Sequence, residues 1–413
     1  MSIKSKTLLK VTFERPEKYR INKKEKSSCS VCFGHRLIQV LDLPKFPLTG
    51  IYVKKTCPGK YPSIDQALML CVDCGHAQLL YVVDPDYVYL KTYSHRSSQS
   101  DIARQGNDFY FSFLEKTTKG CFFQRIVEVG CNDLYLLKKT QNKGEKIFGI
   151  DPIWHGKPKK LQGKIQVIGK FVEEVNFKEE IGAPDLILSA HTFEHIDEPR
   201  SILQKLISVA AEKALFIVEV PAFDSLLRGC RFDQVFHQHI QYFSVASFKK
   251  LISDLGAEYL SHAFNYGYWG GTLLMAFRKS GRIVRKKKKE DSRPTVKLVH
   301  KRLDLFQNQM KLFMKLIESA ERPIYGYGAA QMLPALAYHM KSDLSFLEAI
   351  LDDNPARNGF VYPDLNVPIR LPHAGLNLES ASIVITALDS LRAILKNLIP
   401  RKPKQILVPL GLW

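Results

Sequence analysis

Four cysteines in two Cys-x-x-Cys pairs, Cys29/Cys32 and Cys71/Cys74, are the residues of this 413-residue chain whose spacing most directly specifies chemistry. Each pair fits a tight turn that aims two thiolates at one point. Two such turns make a tetrahedral sulfur set suited to Zn²⁺. Four protein sulfurs close the coordination shell, so such an ion staples structure and does no catalysis. A redox pair and unrelated cysteines are the competing readings. Gly75, next after the second pair, lets backbone N–H groups approach the thiolates. The other cysteines, Cys57, Cys121, Cys131 and Cys230, show no disulfide framework, which fits a reducing cytoplasm.

A second constellation begins at Glu128-Val-Gly130-Cys131-Asn132-Asp133, at the end of a short apolar run. Gly130 allows a sharp turn and a close backbone approach to a ligand. Asp151 ends the next apolar run, about twenty residues on, where an acid commonly accepts hydrogen bonds from ribose hydroxyls. This spacing suits an adenosine cofactor. The first loop lacks the G-x-G-x-x-G pattern that cradles a pyrophosphate. Glu128 would repel phosphate and tolerate a sulfonium and an amino group. Both details favour S-adenosylmethionine over NAD; a Glu128 that merely caps a turn is the bland alternative. Further on, His191 and His195 flank a strand end, and Phe236-His237-Gln238-His239 places two imidazoles close together. No third ligand accompanies the His191/His195 spacing, so these two are read as lining the cofactor site or capping the next helix.

The elements that must position these residues follow from pattern. Residues 1–27 are Lys-rich and read as a basic tail, and 28–85, with Pro44, Pro47, Pro58 and Pro62 among the cysteines, as a loop-rich metal module. A lead-in helix is expected over 101–116. Apolar runs at 125–129, 147–150, 165–168, 185–189 and 214–219 alternate with helix-length segments, and further strands fit 257–260 and 272–278. Such runs predict an α/β domain over 86–278, with a parallel sheet covered on both faces. Residues 279–293, including Arg282, Arg285 and Lys286 to Lys289, read as a basic linker. In 294–413, strands at 323–327, 346–351, 382–386 and 405–408 and the Gly326-Tyr-Gly328-Ala329-Ala330 turn predict a second Rossmann-like unit. A helix opening at that turn would bind phosphate at its N-terminus; a purely structural domain is the alternative.

Six segments occur in order: Glu128-Val-Gly130; Gly149-Ile-Asp151-Pro152; Phe193-Glu194-His195-Ile196; Glu219-Val-Pro221; Phe236-His-Gln-His239 with Tyr242-Phe243-Ser244; and Gly270-Gly271-Thr272-Leu273. With them the chain resembles the S-adenosylmethionine-dependent nucleotide-sugar C-methyltransferases of deoxysugar biosynthesis. The resemblance implies an N-terminal four-cysteine zinc module, a class I methyltransferase domain and a Rossmann-like C-terminal domain. It covers nearly the whole chain from about residue 28, including Asp352-Asp353-Asn354-Pro355. It implies that His239 is a general base acting on a keto sugar. His237 could orient that base or donate to the enolate oxygen, and Tyr93 is a second donor candidate. It implies a sugar-nucleotide site at Gly326, Gly328 and Ala329, with Gly270 and Gly271 near the substrate. Three departures stand out. Leu134 replaces the last Gly of the cofactor loop, Phe236 and Gln238 replace Tyr and Glu beside the histidines, and Trp269 and Thr272 flank the Gly-Gly pair.

The net charge of +19 admits a different class, a zinc-dependent nucleic-acid-binding protein. No aromatic-interleaved basic patch of the kind that reads single strands supports it. An O- or N-methyltransferase on a sugar or small metabolite is the enzymatic alternative. A mean hydropathy of −0.14 and the absence of any apolar run near the ~20 residues of a membrane helix fit a soluble chain. A basic, polar start from Met1 to Arg20 argues against secretion. A cytoplasmic protein is expected.

Overall fold

The computed structural model describes residues 22–54, 61–84, 98, 100–156, 164–280, 293–372 and 376–411. Its centre is a seven-stranded sheet ordered Ala257–Asn265, Thr272–Lys279, Leu215–Pro221, Leu186–Ala190, Phe123–Val129, Gly144–Ile150, Ile165–Ile168. Thr272–Lys279 runs antiparallel to both neighbours, and the pairings from Leu215–Pro221 to Ile165–Ile168 are parallel. This is the class I methyltransferase topology. All seven expected strands are present, with ends shifted by a few residues. The carboxyl-terminal residues of the parallel strands are buried because helices and loops cover both faces there, while Gln124, Glu145, Lys146 and Gln166 are exposed. The lead-in helix, Asp101–Thr118, is capped by Ser100 and buries Tyr110 and Leu114 against the sheet.

The strand order reverses beside Phe123–Val129, between Leu186–Ala190 and Gly144–Ile150. Ligands of open α/β sheets bind outside the carboxyl ends at such a switch point. Those ends carry Gly130, Asp151 and His191.

The cysteine module is a sheet rather than the loop-rich unit expected from its prolines. Gln241–Tyr242, Ala77–Leu79, Ile64–Cys71 and Leu37–Phe46 pair in that order, all antiparallel. Pro44 lies within the long strand Leu37–Phe46, at a register irregularity where the ladder is already interrupted, the place a strand tolerates proline. One of these strands, Gln241–Tyr242, comes from the methyltransferase segment, with only Ile240 between it and His239. Lys23–Glu25, assigned above to the tail, pairs with Tyr81–Val83. Lys26 is buried and meets the carboxylates of Asp197 and Glu198 at 2.6 and 2.9 Å.

The C-terminal unit is an all-parallel sheet of Ile369–Arg370, Ala349–Leu351, Ile324–Tyr327, Ser382–Ile385 and Gln405–Leu407. Before it runs the helix Val296–Glu318, which the sequence reading passed over. Its buried stripe, Val299, Leu303, Phe306, Met310, Phe313 and Ile317, follows helical three-four spacing. The stripe joins a core that includes Val40 and Leu43 of the cysteine module, Phe223 and Phe232 of the methyltransferase domain and Ile324 of the last sheet. A buried guanidinium also ties domains together: Arg231 bonds both oxygens of Asp233 at 2.8 Å and Asp389 at 3.0 Å. No described helix is long and apolar enough to cross a membrane.

Candidate functional site

The four cysteines converge. Cys29 and Cys74 place their sulfurs 3.6 Å apart, as do Cys32 and Cys71, and all four lie within 4.8 Å of one another. Ligands at about 2.3 Å from a tetrahedral ion stand nearly this far apart, so the donor set fits Zn²⁺. The Val31 N–H points at the Cys29 sulfur at 3.4 Å. Backbone N–H groups of Asp73 and Cys74 approach the Cys71 sulfur, as expected of the turn, while the Gly75 N–H closes it by donating to the Cys71 carbonyl at 2.8 Å. What demands glycine there is its φ of 72° and the close approach of Arg293 and Pro294.

At the switch point, Gly130 has a φ of 79°, and a Cβ there would sit 1.9 Å from the Thr192 hydroxyl. The Asp151 carboxylate accepts from the Asn132 N–H at 2.8 Å and the Ile153 N–H at 2.9 Å, which fixes the loop's path. The indole of Trp154 donates to the Asn132 carbonyl at 2.7 Å. Asp133 accepts from Ser98. Leu134 stands at φ 68°, the conformation a glycine would take most easily, and its side chain is buried among Leu136, Leu137 and Cys131. The loop therefore keeps the glycine backbone at the expense of left-handed strain. Glu128 is buried; burial first, then the charges of Asp151 and Asp133, push its pKa well above the usual carboxylate range. One of its oxygens has no hydrogen-bond partner among the described residues. An orphaned acid beside two further carboxylates suits a cationic ligand. The site thus fits S-adenosylmethionine, with its sulfonium and amino group, and would repel a pyrophosphate.

His191 ends the neighbouring strand at φ 51°. Its Nδ1 lies 3.1 Å from Glu194 and its Nε2 3.9 Å from Glu219. Burial works against its charge, but these carboxylates outweigh it and raise its pKa. Glu219, buried, accepts from the Thr272 hydroxyl at 2.6 Å. Gly270 and Gly271 turn the chain at φ 70° and 112° before Thr272. A Cβ at Gly270 would meet Gln234, and one at Gly271 would meet Ser225, each at 2.5 Å. Gly270 lines the cleft described below and Gly271 does not.

The two histidines of Phe236-His-Gln-His239 part company. His237 is buried under the cysteine module, its Nε2 3.4 Å from the Phe46 carbonyl and its Nδ1 3.4 Å from Gln66. Burial pushes its pKa down to about 4. With both ring nitrogens directed at the module, it is not positioned to orient His239 or to meet substrate, which corrects that expectation. His239 turns the other way, its ring 4.9 Å from that of His195. Burial, then the nearby His195 and His191, hold its pKa well below the ordinary 6.5. Tyr93 lies outside the described residues.

Between the methyltransferase and C-terminal domains lies a cleft of about 1370 Å³, lined among others by Arg228, Gln238, Tyr268, Trp269, Gly328 and Arg392. Gln238 accepts from the Gln331 amide across it at 2.6 Å. The Gly326-Tyr-Gly328-Ala329 turn differs from the expected phosphate cradle. The Gly328 N–H donates to Leu351, the Ala329 N–H to Asp352 at 2.6 Å, and the Ala330 N–H to the Gly328 carbonyl. The following helix starts only at Leu333. Asp352 and Asp353 also line the cleft, so the turn offers shape and not anion-binding amides. Sequence reasoning missed Glu194, Gln331 and Arg228. Glu194 carried a signal in its position beside His195; the other two carried none.

Three protein-family models match in order: a zinc binding domain over residues 29–89, a methyltransferase domain over 95–262 and a C-methyltransferase C-terminal domain over 285–400. The chain thus carries, in order, segments similar to a zinc binding domain, a methyltransferase domain and a C-methyltransferase C-terminal domain. A curated relative, the C-methyltransferase NovU of Streptomyces niveus, is 25% identical over 239 residues, covering 55% of this chain and 55% of that protein. The match therefore spans about half the length of the relative. Solved structures similar to part of the chain include the N-methyltransferase NodS of Bradyrhizobium japonicum with S-adenosylhomocysteine: 13% identity, 44% of this chain, 88% of that chain, TM-score 0.34. Magnesium protoporphyrin IX methyltransferase of Synechocystis, also with S-adenosylhomocysteine, is 15% identical over 45% of this chain and 89% of that chain, with a TM-score of 0.34.

Proposed function

We propose that the protein methylates a carbon of a nucleotide-linked keto-deoxysugar, of dTDP-sugar type, through a base-generated enolate. The observation that carries this reading is His239. It is held neutral by its surroundings, next to Gln238 on the interdomain cleft and close to His191 and His195 of the cofactor end. A neutral imidazole at working pH is the form a general base needs.

Glu128, Gly130, Asn132, Asp133, Asp151 and His191 would hold S-adenosylmethionine, which supplies an electrophilic methyl group. His239 takes the proton from the carbon beside the sugar's carbonyl, leaving an enolate. Tyr93 is the proposed donor to the enolate oxygen. The cleft takes the nucleotide sugar, with Gly328, Gly270 and the Gln238–Gln331 pair shaping its walls, and with exposed Arg228 and Arg392 as cations for the diphosphate. The NovU match and the C-terminal domain model support carbon as the acceptor.

The test is incubation with dTDP-keto-deoxysugars and S-adenosylmethionine, read by mass spectrometry and NMR. A new C–CH₃ signal and exchange of the α-proton in D₂O support the reading. An O-methyl or N-methyl product overturns it, as does salt-sensitive retention on nucleic acid with no S-adenosylhomocysteine binding.

A further inference from the structure

Among the described residues, one group of metal-capable side chains lies outside the cysteine cluster. Glu194, His195 and His239 each direct a donor atom into a space where all three atoms lie within 4.8 Å of one another. Chain connectivity hides this. Glu194 and His195 sit on the turn after one strand, His239 more than forty residues later. The backbone joins them: the Ile240 N–H donates to the Glu194 carbonyl at 2.7 Å, and His195 Nδ1 lies 2.8 Å from the Gln238 carbonyl.

The second of these bonds fixes a tautomer. A carbonyl only accepts, so Nδ1 carries the hydrogen and the lone pair of a neutral His195 is on Nε2. Nε2 lies 3.8 Å from Glu194 Oε1, so two acceptor atoms face each other. That separation is too long for a hydrogen bond. It is about what two ligands keep when each sits near 2.1 Å from one ion. The other Glu194 oxygen is buried without a hydrogen-bond partner among the described residues, on a side chain that is 0% exposed. The His239 ring stands at 65° to the His195 ring and supplies the third donor. The outer shell is that of a metal site: a backbone carbonyl holds one imidazole, and His191 Nδ1, 3.1 Å from Glu194, braces the carboxylate.

We propose that Glu194, His195 and His239 form a second metal site, which takes a divalent transition ion such as Zn²⁺ or Co²⁺. Two imidazoles and a carboxylate suit these borderline ions and leave a coordination position open. His195 is 25% exposed, which gives an ion a way in. The His239 lone pair that would bind the ion is also the one the proposed reaction needs, so ion and proton abstraction exclude each other. The ion is therefore an inhibitor, distinct from the zinc on the cysteines. Ion binding does not depend on the identity of the substrate, so its test stands apart from that of the methyl transfer.

The experiment is Co²⁺ titration of the full chain carrying its cysteine-bound zinc, followed by visible absorption and calorimetry. One added equivalent is expected, with weak d–d bands and no sulfur charge-transfer bands. Glu194→Gln and His195→Ala should each weaken it by about tenfold or more. Thermal melts check that the variants fold, and the partly exposed His195 is the safer of the two. No added equivalent, uptake with sulfur bands, or binding unchanged in both variants overturns the proposal.

Discussion

Asp151→Asn separates a cofactor ligand from a loop brace. The Asp151 carboxylate accepts one N–H from Asn132 and one from Ile153 at 2.8 and 2.9 Å, so each oxygen already carries a backbone bond. An oxygen accepts twice, and the remaining capacity is what a ribose diol would use. Asparagine keeps the shape, removes the charge and turns one acceptor into a donor facing a backbone N–H. A hydrogen bond to a charged group is worth about 1.5–3 kcal/mol. At 1.4 kcal/mol per decade, its loss should weaken S-adenosylhomocysteine binding by roughly 10- to 150-fold. The displaced backbone contact should also lower the melting temperature of the ligand-free protein, so calorimetric affinity and the melt must be read together. A melt that falls while affinity equals wild type would refute the reasoning: Asp151 would then be a brace only, and the ribose would bind elsewhere.

Cys74→Ser should release the zinc that survives dialysis against a weak chelator and lower the melting temperature; full metal retention by mass spectrometry would contradict the tetrathiolate site. His239→Ala should lower kcat by about 10²–10⁴ and abolish α-proton exchange in D₂O while leaving S-adenosylhomocysteine affinity intact. Because the His239 pKa is depressed and its neutral form is the active one, kcat/KM should hold as pH falls to the ordinary 6.5 and decline only below it. His76 and His237, both buried and held at about 4 against an ordinary 6.5, oppose protonation in the folded state. The unfolded chain then binds more protons between these values, so stability should fall as pH drops from 6.5 towards 4, by up to about 3 kcal/mol per histidine. Urea unfolding across that range checks it, and His237→Gln should flatten the slope. Leu134→Gly should relieve about 1–2 kcal/mol of left-handed strain but lose a buried side chain worth about 2–5 kcal/mol, for a net destabilisation in thermal melts.

The central sheet was legible because its parallel strands are largely buried on both faces and so appear as short, mainly apolar runs. Ile165–Ile168 was found to the residue. The convergence of Glu128, Gly130 and Asp151 was legible for a related reason: a glycine and two acids at consecutive strand ends are local signals, and a parallel sheet brings those ends together. The cysteine sheet was not legible. Its strand Leu37–Phe46 contains a proline, and its partner Gln241–Tyr242 comes from far along the chain, where two residues carry no strand pattern. That long-range pairing also decides the histidines. Strand Gln241–Tyr242 docks beside Ala77–Leu79, and the chain just before it turns, sending His237 into the module and His239 towards His195. Spacing alone placed the two imidazoles together. The fold divides their work: one is held as buried structure, and the other joins Glu194 and His195, a grouping that no stretch of sequence contains. The catalytic and metal-binding proposals both depend on this division, because each needs the same ring in the same place.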